Sequence, residues 1–222
     1  MELSSHQRRP TFLFVLPWSL RHVGGVNQVV KSLARQISSK GIYQPVVLIT
    51  DWDATTPIWG EEEGIQTVRW RIRGYHRGMS IKERVAFMLW ERRFSRKFHE
   101  FCRENNVVAI NQHYVGDTAF SINRVRLKSD GHIPFILSFH GSDLTHLISS
   151  GEKDLEQWRR LLSHIDKIVV CSNDLKDRVT TLLGEKLDIQ VIFNGLDAAN
   201  FAGFARSTEP ASERIVLNVA KF

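Results

Sequence analysis

Short apolar runs alternate with longer segments of helical periodicity along most of this chain, and that alternation limits the folds open to it. The runs at 11–16, 44–50, 65–70, 107–112, 134–139, 167–171 and 189–193 are mostly rich in Val, Ile and Phe, and most are followed by Gly, Asp, Asn or Ser. They read as buried strands. Between them, 26–39 carries Val26, Val29, Val30, Leu33 and Ile37 at helical spacing, closed by Gly41. Ser80 and Glu83 form a capping-box pattern that opens a long helix to about Asn105. Further helices are predicted over 117–127, 155–163 and 173–183, the last capped by Ser172. Strands alternating with helices imply βαβ units. The expected fold is α/β: a Rossmann-like three-layer domain with a mostly parallel sheet covered on both faces.

Residues 202–213, AGFARSTEPASE, break the rhythm and read as a linker. RIVLNVAKF then opens a new strand. The expected division is a first domain over 1–201, the linker over 202–213, and over 214–222 the first strand of a second, truncated domain.

The formal net charge is +6 and the isoelectric point about 9.5, which favours anionic partners without choosing among them. Two distant cysteines, Cys102 and Cys171, match no metal spacing and suit a reducing compartment. The start, MELSSHQRRP, is polar, and TFLFVLPW after it is far shorter than the roughly 20 residues a membrane span needs. No small-residue cleavage site follows it and no Asn-x-Ser/Thr acceptor occurs, so a cytoplasmic protein is expected.

Gly24 and Gly25 lie between the first strand and its helix. Glycine permits unusual backbone angles and close approach of a ligand, and a helix N-terminus attracts anions. The pair fits a phosphate or pyrophosphate, or merely a tight turn. Neither G-x-G-x-x-G nor a Walker A pattern is present. His113 and His140 lie at the carboxyl ends of two further strands, where open α/β sheets bind ligands. These three strand ends are expected to share a cleft, although a histidine such as His140 is also common in purely structural roles.

The order of motifs resembles the N-terminal half of a family 4 glycosyltransferase, the retaining GT-B group. The matching pieces are GGVNQVVKSLARQISSKGIYQPVVL (24–48), PFILSFHGSDL (134–144), DKIVVCSNDLKDRV (166–179), IQVIFNGLDAANF (189–201) and IVLNVAKF (215–222). They resemble the family's Gly-Gly-Val helix, its H-G-x-D loop, a strand and helix after it, the N-G-V-D segment joining the domains, and the opening of the donor domain.

The resemblance implies an enzyme of two facing Rossmann-like halves, of which this chain is the acceptor side. Such an enzyme transfers a sugar from a nucleotide-sugar to a carbohydrate or lipid-linked acceptor with retention of configuration. It needs no metal and no cofactor beyond the sugar nucleotide. By resemblance Gly24 and Gly25 bind the donor diphosphate. Lys221 stands where the family usually has an arginine, supplying charge without a bidentate fork. His140 lies beside the transferred sugar as the catalytic residue, and His113, Gly141, Ser142, Asp143 and Asn194 belong to the acceptor side or cleft. Fixed N–H groups and cations stabilise the leaving diphosphate. The family's donor-domain E-x7-E falls beyond residue 222, so the isolated chain is expected to be inactive. The literal copy here, Glu83 to Glu91, reads as chance on a solvated helix face.

Two other readings stand beside this one. One is a non-catalytic Rossmann-like module for a phosphorylated ligand. The other is a GT-B sugar-nucleotide epimerase, which needs cleft carboxylates, for which Asp117 and Asp143 are the candidates.

Residues 81–103 combine Phe87, Trp90, Phe94, Phe98 and Phe101 with Arg84, Arg92, Arg93, Arg96, Lys97 and Arg103. The plain reading is an amphipathic helix whose aromatic stripe packs on the sheet. The sharper one is peripheral contact with the cytoplasmic face of a membrane. A second basic stretch, RWRIRGYHRG (69–78), reads as an exposed loop on the acceptor side. Nucleic acid is not an expected partner, because the aromatics do not interleave with the basic residues in a strand-like array.

Overall fold

A computed structural model describes residues 9–76, 78–129, 131–148, 151–184 and 187–195. The expected linker, the second-domain strand and Lys221 lie outside the described residues.

One eight-stranded sheet runs through the molecule. Its strands are β1 (Thr11–Leu16), β2 (Gln44–Thr50), β3 (Ile58–Glu62), β4 (Ile65–Trp70), β5 (Val107–His113), β6 (Phe135–Phe139), β7 (Lys167–Val170) and β8 (Ile189–Val191). The helices are α1 (Gly25–Lys40), α2 (Ile81–Glu104), α3 (Thr118–Arg126), α4 (Ser142–Ile148), α5 (Glu152–Leu162) and α6 (Asn173–Leu183). The strand order is β3-β4-β2-β1-β5-β6-β7-β8, and every pairing is parallel except β3 with β4. This is the expected Rossmann-like α/β fold. The chain winds outward from β1 through β2 to β4, then returns to place β5 on the other side of β1. The switch point therefore lies between the ends of β1 and β5.

Alternation along each strand sends side chains to opposite faces. Phe14, Leu16, Val47, Ile49 and Ile65 meet Val30 and Ala34 of α1 on one face. Leu13, Val15, Leu48, Trp70, Ile110 and Leu137 form the larger core on the other face, with α2, α3, α5 and α6. The face that α1 buries differs from the expected stripe. Asn27 and Lys31 are buried and Leu33 is exposed, because two polar contacts described below draw Asn27 and Lys31 inward.

The capping box of α2 forms as expected: Ser80 accepts from the Glu83 N–H, and the Glu83 carboxylate accepts from the Ser80 N–H. Phe87, Phe94, Phe98 and Phe101 are buried, the last three around Trp70. Glu91 is no part of a solvated face. It is buried on the same stripe and takes a two-pronged contact from Arg124 at 2.5 and 3.0 Å. Burial raises its pKa, but the Arg124 and Lys128 contacts outweigh that and hold it below the usual carboxylate range. The 69–78 stretch is likewise less exposed than expected, since Trp70 and Ile72 enter the core.

Candidate functional site

The three strand ends singled out above are neighbours in space, because β1, β5 and β6 are adjacent and parallel. At the ends of β5 and β6, His113 Nδ1 lies 2.9 Å from His140 Nε2, and the rings stack with centroids 5.2 Å apart. One of these nitrogens donates and the other accepts, so the axis between them holds one proton. His113 is only 1% exposed and its Nε2 finds no hydrogen-bond partner among the described residues. Burial, reinforced by neighbouring His140, pushes the His113 pKa down to about 3, so its ring is neutral at physiological pH. Burial also lowers the pKa of partly exposed His140, and Asp143 opposes that shift.

The loop after β6 is built around Asp143. Its carboxylate is 1% exposed and accepts the backbone N–H groups of His140, Gly141, Leu144 and Val115 at 2.8–3.2 Å. Such an array satisfies the charge within the loop, and Val115 ties β5's exit to β6's. Gly141 turns the chain at φ 109°, a conformation that side chains rarely adopt. Asp143 thus braces the loop that carries His140. Ser142 is exposed, and Asp143 lies in the first turn of α4. The sequence pattern did not reveal α4, which is only one short helix of 7 residues. Asp117 precedes α3 and meets Gly74 so closely that a Cβ at 74 would stand 2.6 Å from the Asp117 Cβ. Burial and Asp154 raise the Asp117 pKa, against the pull of His76.

The β1–α1 loop is held by a residue that sequence reasoning passed over. Asn27 is 1% exposed; its Oδ1 accepts from Trp18 Nε1 at 2.6 Å, and its Nδ2 donates to the carbonyls of Ser19 and His22. Its signal was an amide sitting on an otherwise apolar helix stripe. From the side, the β3–β4 turn reaches in: Ser19 Oγ donates to Glu62 at 2.6 Å and Lys31 donates to Glu63 at 2.9 Å. Trp18 packs edge-on against Tyr114, the residue after His113.

At the helix start, Gly24 is extended, at φ 177°, and a Cβ at Gly24 or Gly25 would meet nothing within 4 Å. Neither the turn nor the packing demands glycine there, which corrects the tight-turn account of the pair. Both residues are exposed, and the first turn of α1 carries no acidic residue. This end can receive an anion. Asn194 is exposed beyond β8, at the same end of the sheet but two strands from β6. Among the described residues, no group of three His, Cys, Asp or Glu side chains is placed to hold a metal ion. No helix among them is long and apolar enough to cross a membrane.

The sequence model for Glycosyltransferase Family 4 matches residues 23–200. No curated protein matches the chain. Among solved structures, sucrose-phosphate synthase from Thermosynechococcus elongatus is similar in fold, with a TM-score of 0.61 and 14% identity over 86% of this chain. The chain spans about half of that synthase, 49% of its length. A second structure of sucrose-phosphate synthase from the same organism gives a TM-score of 0.53 at 12% identity, covering 86% of this chain and 93% of that one.

Proposed function

The chain belongs to Glycosyltransferase Family 4, and from that premise we propose that it forms the acceptor-side half of a retaining enzyme that moves a sugar from a nucleotide-sugar to an acceptor. The observation that carries the reading is the pairing of His113 with His140 at 2.9 Å, beside the sheet's switch point and the open Gly24–Gly25 helix start. In this reading the N–H groups at Gly24 and Gly25 take the donor diphosphate as charge develops on it. Lys221 adds a cation there. His140 contacts the transferred sugar, while His113, Gly141, Ser142 and Asn194 shape the acceptor side and Asp143 fixes the loop. The leaving diphosphate takes the acceptor's proton, so neither a metal nor another cofactor enters. The 222 residues alone are expected to transfer little or no sugar.

The test is to incubate the full-length protein with a panel of nucleotide-sugars and candidate acceptors, and to read the product's anomeric configuration by NMR. A product of retained configuration supports the reading. Inverted product removes the retaining mechanism, and absence of both turnover and sugar-nucleotide binding removes the transferase assignment.

A second feature favours an acceptor carried on a membrane. Ile81, Val85, Met88 and Leu89 are 53–81% exposed at helical spacing on α2, next to Arg92 and Arg93. Because α2 leads directly into β5, its first turns lie toward the end of the sheet where His113 sits. We propose that this stripe rests on the cytoplasmic face of a bilayer. Val85→Glu should abolish sedimentation with anionic vesicles; unchanged sedimentation removes the contact.

A further inference from the structure

Farther along α2, a groove of about 830 Å³ separates it from α3 and the residues that follow. Arg92, Arg96, His99, Arg124 and Lys128 line it, and it continues past Glu100 to Arg103. Its other acid, Glu91, is buried and already engaged by Arg124 and Lys128. That pairing does more than neutralise: it sets Arg124 and Lys128 at fixed positions along one wall. His99 is anchored in the same way, its Nε2 donating to the Val125 carbonyl at 2.8 Å.

The opposite wall is unusual for a helix. Arg92 and Arg96 stand four residues apart, as do Arg93 and Lys97 behind them. Like charges at this spacing repel and weaken a helix. Among the described residues, no carboxylate or carbonyl meets Arg92 or Arg96, and both are exposed. Of the acids among the described residues, only exposed Glu100, one turn beyond Arg96, stands on this wall, and no ion pair joins the two. Such local repulsions mark places where a ligand supplies the missing partner.

We propose that the α2–α3 groove binds an anion carrying two or more clustered phosphates, at a site separate from the His140 cleft. Cations from both walls line the groove, so more than one phosphate can be met at once. Arginine's planar fork suits phosphate oxygens. The residues involved belong to the middle and last turns of α2, toward the start of β5 and away from its His113 end. The site is independent of the transferase reading and stands whatever reaction the cleft performs. The phosphates come either from a free polyphosphate or from the headgroups of anionic lipids beneath the apolar stripe.

The experiment uses the 222-residue chain at physiological salt. Calorimetric titration with sodium tripolyphosphate tests the free source. Sedimentation with phosphatidylcholine vesicles, with and without phosphatidylglycerol, tests the lipid source. Arg92→Glu and Arg96→Glu should each weaken binding of whichever probe is taken up by roughly tenfold. Arg92→Glu also creates a favourable Glu–Arg pair with Arg96, so its melting temperature should hold or rise as binding is lost. Loss of binding with stability kept supports the site, and the probe that bound names the source. If Arg92→Glu fails to fold, Arg96→Gln removes charge while keeping a good helix former and is read the same way. Absence of binding by either probe, or binding that survives both substitutions, overturns the proposal.

Discussion

His113 and His140 are bonded ring to ring across the ends of two adjacent parallel strands, and of the two only His140 is partly exposed. The buried ring fixes the plane and tilt of the outer one. From below, Asp143 pins the His140 backbone. A side chain held on both flanks loses little further freedom when it meets a substrate.

His140→Ala in the full-length protein should therefore lower turnover about a hundredfold, a loss separate from the stability cost of about 1–3 kcal/mol expected from leaving buried His113 Nδ1 unpartnered. Steady-state rates beside a thermal melt decide this. Equal activity in the variant removes the assigned role.

The buried ring gives the chain an acid-sensitive element. The folded pKa of His113, about 3, lies below the 6.5 of an ordinary histidine, so the unfolded chain binds the extra proton first. Stability should be flat above pH 6.5 and fall as the pH drops from 6.5 toward 3. His140 acts in the same direction. Denaturant melts across this window should show the slope, and His113→Phe should flatten it. Below the ordinary glutamate value of 4.5, protonation of Glu91 adds a separate loss.

Asp143→Asn keeps the size of the side chain but replaces one acceptor oxygen with a donor that faces backbone N–H groups. It should destabilise the chain by about 1–3 kcal/mol. Amide exchange at Gly141, Leu144 and Val115 should quicken, and unchanged exchange there would contradict the brace.

At Gly25 the opposite balance is expected. A Cβ there meets nothing, and alanine favours the helix, so Gly25→Ala should leave stability unchanged or raise it by up to about 0.5–1 kcal/mol. If the proposed diphosphate site is right, the added methyl crowds it and sugar-nucleotide binding should nonetheless weaken. Calorimetry on wild type and variant reads both.

The parallel strands were legible because each is an apolar run cut off by a turn residue. β3 was not, since IWGEE is exposed throughout or nearly so and owes its extension to antiparallel pairing with β4. The convergence of His113 and His140 could be read from strand ends alone. Asp143's role could not, because its partners are backbone amides, which every residue carries. Asn27 and Glu91 were hidden for a related reason. Each stands on a helix stripe among apolar neighbours, and composition treats such a residue as an interruption. The position is the signal: Glu91 falls in step with Phe87, Phe94 and Phe98, so it had to be buried and therefore partnered.

The β3–β4 turn is bonded to the glycine loop through Ser19–Glu62 and to the helix after it through Lys31–Glu63. Those two contacts make the outermost strand a gauge of what happens at the loop. A chain peeling β3 from the sheet's edge must first release Ser19, and anything that clasps the loop must slow the peeling. Deuterium uptake at Trp59–Glu62 would then fall when a diphosphate is added, reporting occupancy of one loop from the far border of the sheet.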